Sequence, residues 1–276
     1  MDGTVGGGAQ KADGGLAAAL RAARRVVVLT GAGASAESGI PTFRDALTGL
    51  WERFDPARLA TPEAFEADPG LVWGWYVWRR EQIARCRPNP AHDAVTRLQR
   101  AVRARGGTVT VVTQNVDDLH ERAGAEDVVH LHGAIAASRC SVCGAPAESE
   151  AAPETRAASD TAGPEIRTGG ARIAPPACPV CGGPVRPSVV WFGEALPRGE
   201  WLRAEAAAAR ADLLLSVGTS STVYPAAELP HTAARAGARI VQVNPSPTGL
   251  ESIVRDDVRA RAGAALPGLI DAAFGR

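Results

Sequence analysis

Four cysteines fall in two pairs, Cys140-x-x-Cys143 and Cys178-x-x-Cys181, with thirty-four residues between the pairs. Each pair is followed by glycine, which lets backbone amides turn toward the thiolates. Four thiolates are a tetrahedral Zn²⁺ site, and a complete Cys₄ shell has no open position, so one structural Zn²⁺ is expected rather than a catalytic one. The bland alternatives are two chance pairs or a redox dithiol. The fifth cysteine, Cys86, stands alone. Five cysteines are too few for a disulfide scaffold of this size, and the grouping points to a reducing compartment, with a cytoplasmic location expected.

A second chemical signal follows the β-branched run at residues 26–30. The chain turns through Gly31-Ala32-Gly33-Ala34-Ser35-Ala36. This is G-x-G-x-x-A, a variant of the dinucleotide fingerprint: a tight turn at Gly31, close approach to a pyrophosphate at Gly33, and a small Ala36 for helix–strand packing. The helix N-terminus would offer free amides to the phosphate. Alone the motif is weak, and a plain strand–helix turn is the alternative. No acidic strand end appears about twenty residues on. A stiff loop, residues 38–45, comes instead, which argues against a hydride-transferring dehydrogenase.

Further polar residues sit just past strand-like runs: Gln114, Asn115 and Asp117 after residues 109–113, His132-Gly133 after 128–131, Gly218-Thr219-Ser220-Ser221 after 213–217, and Asn244 after 239–243. Past the carboxyl ends of a parallel sheet such residues face the ligand crevice. Each alone is an ordinary Asx-turn or cap residue; their convergence from four loops makes a site. His130 and His132 alternate and so face opposite ways if the strand continues through them. His132, beside Gly133, is the candidate base, whereas His92, His120 and His231 read as capping or packing residues. Tyr76 and Arg79 lie three apart in a helical stretch, hence on one face; the bland reading is a solvated arginine and a tyrosine packed on Trp73.

These groups need a scaffold. The runs at 26–30, 109–113, 213–217 and 239–243 alternate with helix-compatible stretches at 90–105, 198–211 and 226–236, the pattern of an α/β fold with a Rossmann-like parallel sheet. Residues 16–25 read as a short amphipathic helix. Residues 45–88 form a tryptophan-rich helical insert, and residues 133–187 a zinc-binding module within which 149–170 reads as loose. The insert and the module make a smaller lobe beside a Rossmann-like domain of residues 16–132 plus 188–276. Residues 1–15, with six glycines, read as a flexible tail. The 276 residues are 45% hydrophobic and 22% charged, enough for a core and too apolar for a disordered chain. No apolar run could span a bilayer. Thirty basic residues balance thirty acidic ones, so no nucleic-acid or membrane partner is expected, and the chain is expected to act as a monomer.

Residues 31–44 (GAGASAESGIPTFR), 113–117 (TQNVD), His132-Gly133, the four cysteines, 190–194 (VWFGE), 218–221 (GTSS) and the strand end at Asn244 together resemble the sirtuins, the NAD-dependent protein deacylases. The resemblance covers roughly residues 20–270, in order. It departs at Ala134-Ile135, where the family usually has a serine and a larger apolar residue, and at Pro245-Ser246. It implies that NAD serves as co-substrate, with Ala32, Phe43 and Arg44 flanking the nicotinamide ribose and phosphates and Asn115 and Asp117 holding the nicotinamide. Gly31, Gly33, Gln114, Gly218, Thr219, Ser220, Asn244 and Ala262 would complete the NAD site. The acyl-lysine carbonyl would displace nicotinamide, and His132 would then act as general base on a ribose hydroxyl. The products would be free lysine, nicotinamide and an O-acyl-ADP-ribose.

Acylated lysine proteins or peptides would lie along Val190, Phe192, Gly193 and Glu194, pairing as an extra strand. Tyr76 and Arg79 resemble the Tyr-x-x-Arg of the sirtuin subgroup that removes acidic acyl groups, and Ala60 the small residue that widens the same pocket. Succinyl or malonyl removal is therefore expected above deacetylation. The alternatives are a plain deacetylase, a mono-ADP-ribosyltransferase on the same site, or a zinc-bearing NAD sensor that only binds a partner. A zinc-ribbon nucleic-acid module fits least, because residues 140–181 lack a basic stripe.

Overall fold

The computed structural model describes residues 14–41, 55–147 and 172–275. Phe43, Arg44, the first ten residues of the insert, residues 1–13 of the expected tail and the segment 149–170 lie outside them. The elements run α1 (Gly14–Ala22), β1 (Arg25–Thr30), α2 (Ala32–Ser35), α3 (Pro56–Leu59), α4 (Pro62–Ala67), α5 (Pro69–Arg85), α6 (Pro90–Arg103), β2 (Thr108–Thr113), α7 (Leu119–Arg122), β3 (Val128–His130), β4 (Gly133–Cys140), β5 (Pro146–Ala147), β6 (Val185–Val189), α8 (Arg198–Ala208), β7 (Leu213–Val217), α9 (Glu228–Arg235), β8 (Arg239–Val243), β9 (Asp256–Val258) and α10 (Ala262–Phe274).

Six strands form one parallel sheet in the order β3-β2-β1-β7-β8-β9. The apolar runs are continuous because both faces are covered. On β1, Val26 and Val28 join one core with α1, α6 and α10. Val27 and Leu29 join the other, with residues of α8 and α9. Strand order reverses between β1 and β7, the switch point where an open α/β sheet has its ligand crevice. The tail shortens by two residues relative to expectation. α1 already begins at Gly14, because Leu16 and Leu20 bury in the first core, where α10 also packs.

The switch point is held by close backbone contact. Gly31 N–H donates to Val217 O at 3.0 Å and Gly33 N–H to Gly218 O at 2.8 Å. A Cβ on Gly33 would stand 2.8 Å from Gly218 Cα, and one on Gly31 2.8 Å from Thr219 Cβ. Gly218 has φ +60, and its own Cβ would meet Ala34 N at 2.4 Å. The glycines are thus demanded by the neighbouring loop. The Gly33 amide is taken by Gly218 O rather than left for a phosphate, and α2 is a single turn running into a 3₁₀ turn at Ala36–Ser38. The long pyrophosphate-binding helix of the dinucleotide fingerprint is not built here.

The small lobe carries a three-stranded antiparallel sheet, β5-β4-β6. It extends from Gly133 to Val189, two residues beyond the module read from sequence. In the insert, α4 and α5 start at Thr61-Pro62 and Asp68-Pro69, and α6, just beyond it, at Asn89-Pro90. Each cap side chain accepts a backbone N–H and the proline occupies the first turn. α5 is apolar on two faces because it is buried on two. Val72, Trp75, Tyr76 and Ile83 pack with Leu59, Ala60, Phe65, Ile135 and Trp191. Trp73 and Val77 pack against Cys140, Cys178 and Val185. Arg80 ties the second face down, donating to the carbonyls of Ile135 at 2.6 Å and Ala137 at 3.2 Å and to Ser138 Oγ at 2.8 Å.

Gly33→Ala should therefore lower stability by ~1–3 kcal/mol through overpacking of backbone on backbone. Gly268→Ala, on an exposed turn of α10 with open space around it, should be neutral or stabilising by up to ~1 kcal/mol. Thermal unfolding of the two variants checks this; equal melting temperatures would contradict it.

Candidate active site

Thr30 and Thr113, at the ends of adjacent strands, share a hydrogen bond between their hydroxyls at 2.8 Å. The next residues enter the crevice. Gln114 N–H donates to Thr30 O at 3.0 Å, and Gln114 Nε2 to Thr219 Oγ1 at 3.0 Å. Asn115 is buried, and its Nδ2 donates to Gly31 O at 3.1 Å and Ser35 Oγ at 3.0 Å. Asp117 is buried beside it and accepts from Leu119 N–H at 3.1 Å. Burial pushes the Asp117 carboxyl up, against the opposing pull of hydrogen bonds from Leu119 and Ser35. Asn244 Nδ2 donates to Thr219 O at 2.9 Å, and Asn244 Oδ1 accepts from Ser246 N–H at 3.1 Å. The Ser220 hydroxyl pairs with that of Thr222 at 2.8 Å. Gln114, Asn115, Asp117, Thr219 and Asn244 thus line one connected rim with Gly31. Ala262 behaves differently: its side chain is buried in the core beneath, at the start of α10.

His132 is half-buried at the same rim. Its Nδ1 lies 2.9 Å from Gln114 O. A carbonyl only accepts, so Nδ1 carries the proton and Nε2 presents a lone pair. Burial lowers the imidazole below its ordinary value, partly offset by the Gln114 hydrogen bond. The ring is therefore neutral at pH 7, as a general base requires. The turn after it admits only glycine. Gly133 has φ +73, and a Cβ there would lie 2.1 Å from Ser188 O.

The main chain of His132 reaches the opposite wall. Its carbonyl accepts Val190 N–H at 2.9 Å, and Phe192 N–H donates to Ala60 O at 2.9 Å. Val190–Phe192 is thus strung between the candidate base and Ala60. Phe192 and Gly193 are exposed, and Gly193 has φ +88. Glu194 is committed elsewhere. It accepts from Arg186 at 2.6 and 2.9 Å and from Trp191 N–H at 2.8 Å, and Arg186 stacks over the Trp191 ring at 3.3 Å. Glu194 therefore fixes this segment from behind.

Ala60, Tyr76 and Trp191 belong to one apolar cluster, with Arg79 beside Tyr76. Ala60, Tyr76 and Trp191 are buried, and Trp191 Nε1–H donates to Tyr76 Oη at 2.9 Å. Burial raises the phenol, so it is neutral. The Arg79 guanidinium stands 4.9 Å from the Trp75 ring centroid and 5.7 Å from that of Tyr76. Burial draws Arg79 below its ordinary value, and the Tyr76 phenol and the Asp117 carboxylate pull the other way; a guanidinium so placed keeps its charge. Tyr76 packs with Trp75 and Trp191, while Trp73 lies in the other cluster, on the far face of α5. Trp191 enters the site through its bond to Tyr76, which its place between Val190 and Phe192 in the sequence does not announce. Ser35 was missed as a partner of Asn115, because its role rests on a contact across the sheet.

Cys140, Cys143, Cys178 and Cys181 converge with all four sulfurs within 4.8 Å of one another. Cys140 and Cys181 sulfurs are 3.4 Å apart, those of Cys143 and Cys178 3.8 Å. A tetrahedron with Zn–S bonds of ~2.3 Å has edges of about 3.8 Å, so the set fits that ion. Backbone amides of Val142, Cys143 and Val180 point at Cys140 and Cys178 sulfurs.

Residues 31–225 match the family model described as the Sir2 family. The chain belongs to that family. It is 54% identical over 255 residues to the NAD-dependent protein deacylase 1 of Pseudomonas aeruginosa, covering 92% of this chain and 96% of the relative. It is 51% identical over 257 residues to the NAD-dependent protein deacylase of Methylococcus capsulatus, covering 93% and 95%. The fold is similar to the crystal structure of a Sir2 homolog–NAD complex, with TM-score 0.83, 41% identity and 95% and 94% of the two chains covered. It is also similar to a mutant Sir2 homologue in complex with 2′-O-acetyl ADP ribose, with TM-score 0.80, 40% identity and 94% and 95% covered.

Replacing Cys178 by serine should release the metal and lower the melting temperature, since metal binding and local folding are linked. Cys86→Ser should do neither. Elemental analysis of the purified proteins decides it: no zinc in the wild type, or full zinc in the Cys178 variant, would contradict the site.

Proposed function

We propose that this protein removes acyl groups from lysine side chains of proteins at the expense of NAD, and that it prefers the acidic succinyl and malonyl groups to acetyl. The coarser statement, NAD-dependent deacylation, rests on membership of the Sir2 family and on relatives at about half identity that bear that name. The finer one rests on a single observation: a guanidinium and a phenol, Arg79 and Tyr76, stand together, and Tyr76 belongs to the same buried apolar cluster as Ala60.

NAD supplies a ribose whose nicotinamide can leave and which carries the acyl group away as O-acyl-ADP-ribose. This chain's own residues do the rest. Asn115 and Asp117, oriented by Gly31 and Ser35, hold the nicotinamide side of the crevice. Gln114, Thr219 and Asn244 brace the loops on the nucleotide side, and Ala262 contributes by packing rather than by contact. His132, neutral and with Nε2 unprotonated, takes the proton from a ribose hydroxyl. Val190, Phe192 and Gly193 pair with the substrate backbone, held in line by Glu194.

A succinyl or malonyl group ends in a carboxylate, which a guanidinium grips in bidentate fashion and a phenol supports with one hydrogen bond. Trp191 donates to the Tyr76 oxygen, so the phenol keeps its own proton for that acceptor. A charge-assisted bond is worth ~1.5–3 kcal/mol, or roughly ten- to more than a hundred-fold in preference.

The test compares succinyl, malonyl and acetyl forms of one peptide. Wild type should favour the acidic acyl groups in kcat/KM. Arg79→Met should lose them mainly through KM and keep its acetyl activity. Equal efficiency of wild type on acetyl and succinyl peptides would return Arg79 to a packing role. His132→Ala should retain fold and NAD binding but lose turnover by ~10²–10⁴ or more. Because burial lowers the imidazole, the acid limb of wild-type kcat/KM should be centred below the ordinary histidine value of ~6.5, where His132 takes up a proton. An acid limb centred above that value would contradict the assignment.

A further inference from the structure

β3 ends at His130, and the Nδ1 atoms of His130 and His132 reach successive carbonyls of one loop. His132 donates to Gln114 O at 2.9 Å, and His130 Nδ1 lies 3.3 Å from Asn115 O. The second nitrogen of His130 is also engaged, with Nε2 2.6 Å from Glu121 Oε1. A carbonyl and a carboxylate can only accept, so both ring nitrogens must carry protons. His130 is therefore built into the fold as an imidazolium.

We infer that His130, held as a cation by Glu121, is a positioning residue that clips the Asn115 carbonyl and thereby fixes the loop presenting Asn115 and Asp117 to NAD. The inference rests on the reading of that loop as the nicotinamide side.

The surroundings favour the charged ring. Burial works against it, but the hydrogen bond and charge of Glu121, the Asn115 carbonyl and the nearby Asp117 outweigh that and raise His130 above its ordinary value. Glu121 is correspondingly lowered: burial raises it, and the His130 hydrogen bond, a backbone hydrogen bond and the charge of His130 together more than reverse that. Other charges near β3 are already engaged. On α7, Arg122 turns to Asp118 and to the carbonyls of Ile83 and Cys86. His120 is pushed down to about 3 by burial and stays neutral. On α8, Arg203 is taken up by Asp127 and Glu200. From β2, Thr113 pairs in register with His130.

The sign follows. A raised imidazole keeps its proton through neutral pH and loses it as pH rises through the folded value, so the clip weakens on the alkaline side. The loop then loosens at Asn115 while His132 still holds Gln114, so NAD binding should suffer before chemistry does.

The experiment measures KM for NAD and kcat of nicotinamide release from about pH 6 to about pH 9.5 for wild type, His130→Gln and Glu121→Gln, beside imidazole and backbone-amide NMR titrations of the ligand-free proteins. In wild type, KM for NAD should rise about three- to ten-fold across the His130 titration, the scale of one hydrogen bond, with kcat changing little. The Val116 amide, which follows the Asn115 carbonyl, should shift with the same midpoint. Glu121→Gln should move that midpoint to lower pH, and His130→Gln should abolish the pH dependence of KM. Overlapping KM profiles for wild type and His130→Gln, or a Val116 amide indifferent to His130, would overturn the inference. If wild type released no nicotinamide at any pH, the functional reading would fail, and the NMR titration alone would still decide whether the clip exists.

Discussion

The contact of bare backbone with bare backbone at the β1–β7 switch point governs this structure. Gly31 and Gly33 lie directly on Gly218 and Thr219, and two amide–carbonyl bonds close the contact. From it the rest of the crevice is dimensioned. Gly31 offers its carbonyl to Asn115, Thr219 receives Gln114 and Asn244, and Gln114 in turn fixes the His132 ring. A side chain at any of these glycines would push apart two loops that each hold the next residue of the site. The glycine motif therefore serves loop-to-loop packing first.

A second dependence runs through α5. One face of this helix carries Tyr76 and Arg79, and the other carries Trp73 and Arg80 onto the metal-binding lobe. The four cysteines lie in the lobe against which α5 packs, and α5 carries Tyr76 and Arg79 on its other face. From the opposite side, the Arg186–Glu194 pair clamps Trp191, whose indole holds the Tyr76 phenol. The side chains expected to select the acyl group are thus fixed from both walls.

The sheet was legible because its central strands are buried on both faces and so read as unbroken apolar runs. The cysteine spacing was legible because metal ligands leave a mark that needs no tertiary context. β9 and α10 escaped notice: β9 is an edge strand of three residues, Asp256–Val258, two of them acidic, and α10 contains Pro267. The small antiparallel sheet escaped because β4 bulges between Ala134 and Ser138, which breaks the alternation. Sequence alone makes Glu194 a substrate contact, because nothing in it tells that Arg186, eight residues earlier, holds its carboxylate. The same limit hid Trp191, Ser35 and the His130–Glu121 pair. Their partners are brought together only by the fold.

The central claim is that one crevice both binds NAD and moves an acidic acyl group from lysine onto its ribose. The most direct measurement is mass analysis of all products formed from a succinyl-lysine peptide, NAD and the wild-type protein. The account predicts free lysine peptide, nicotinamide and O-succinyl-ADP-ribose in equal amounts. Nicotinamide accompanied by an ADP-ribosylated peptide that still carries its succinyl group would contradict it.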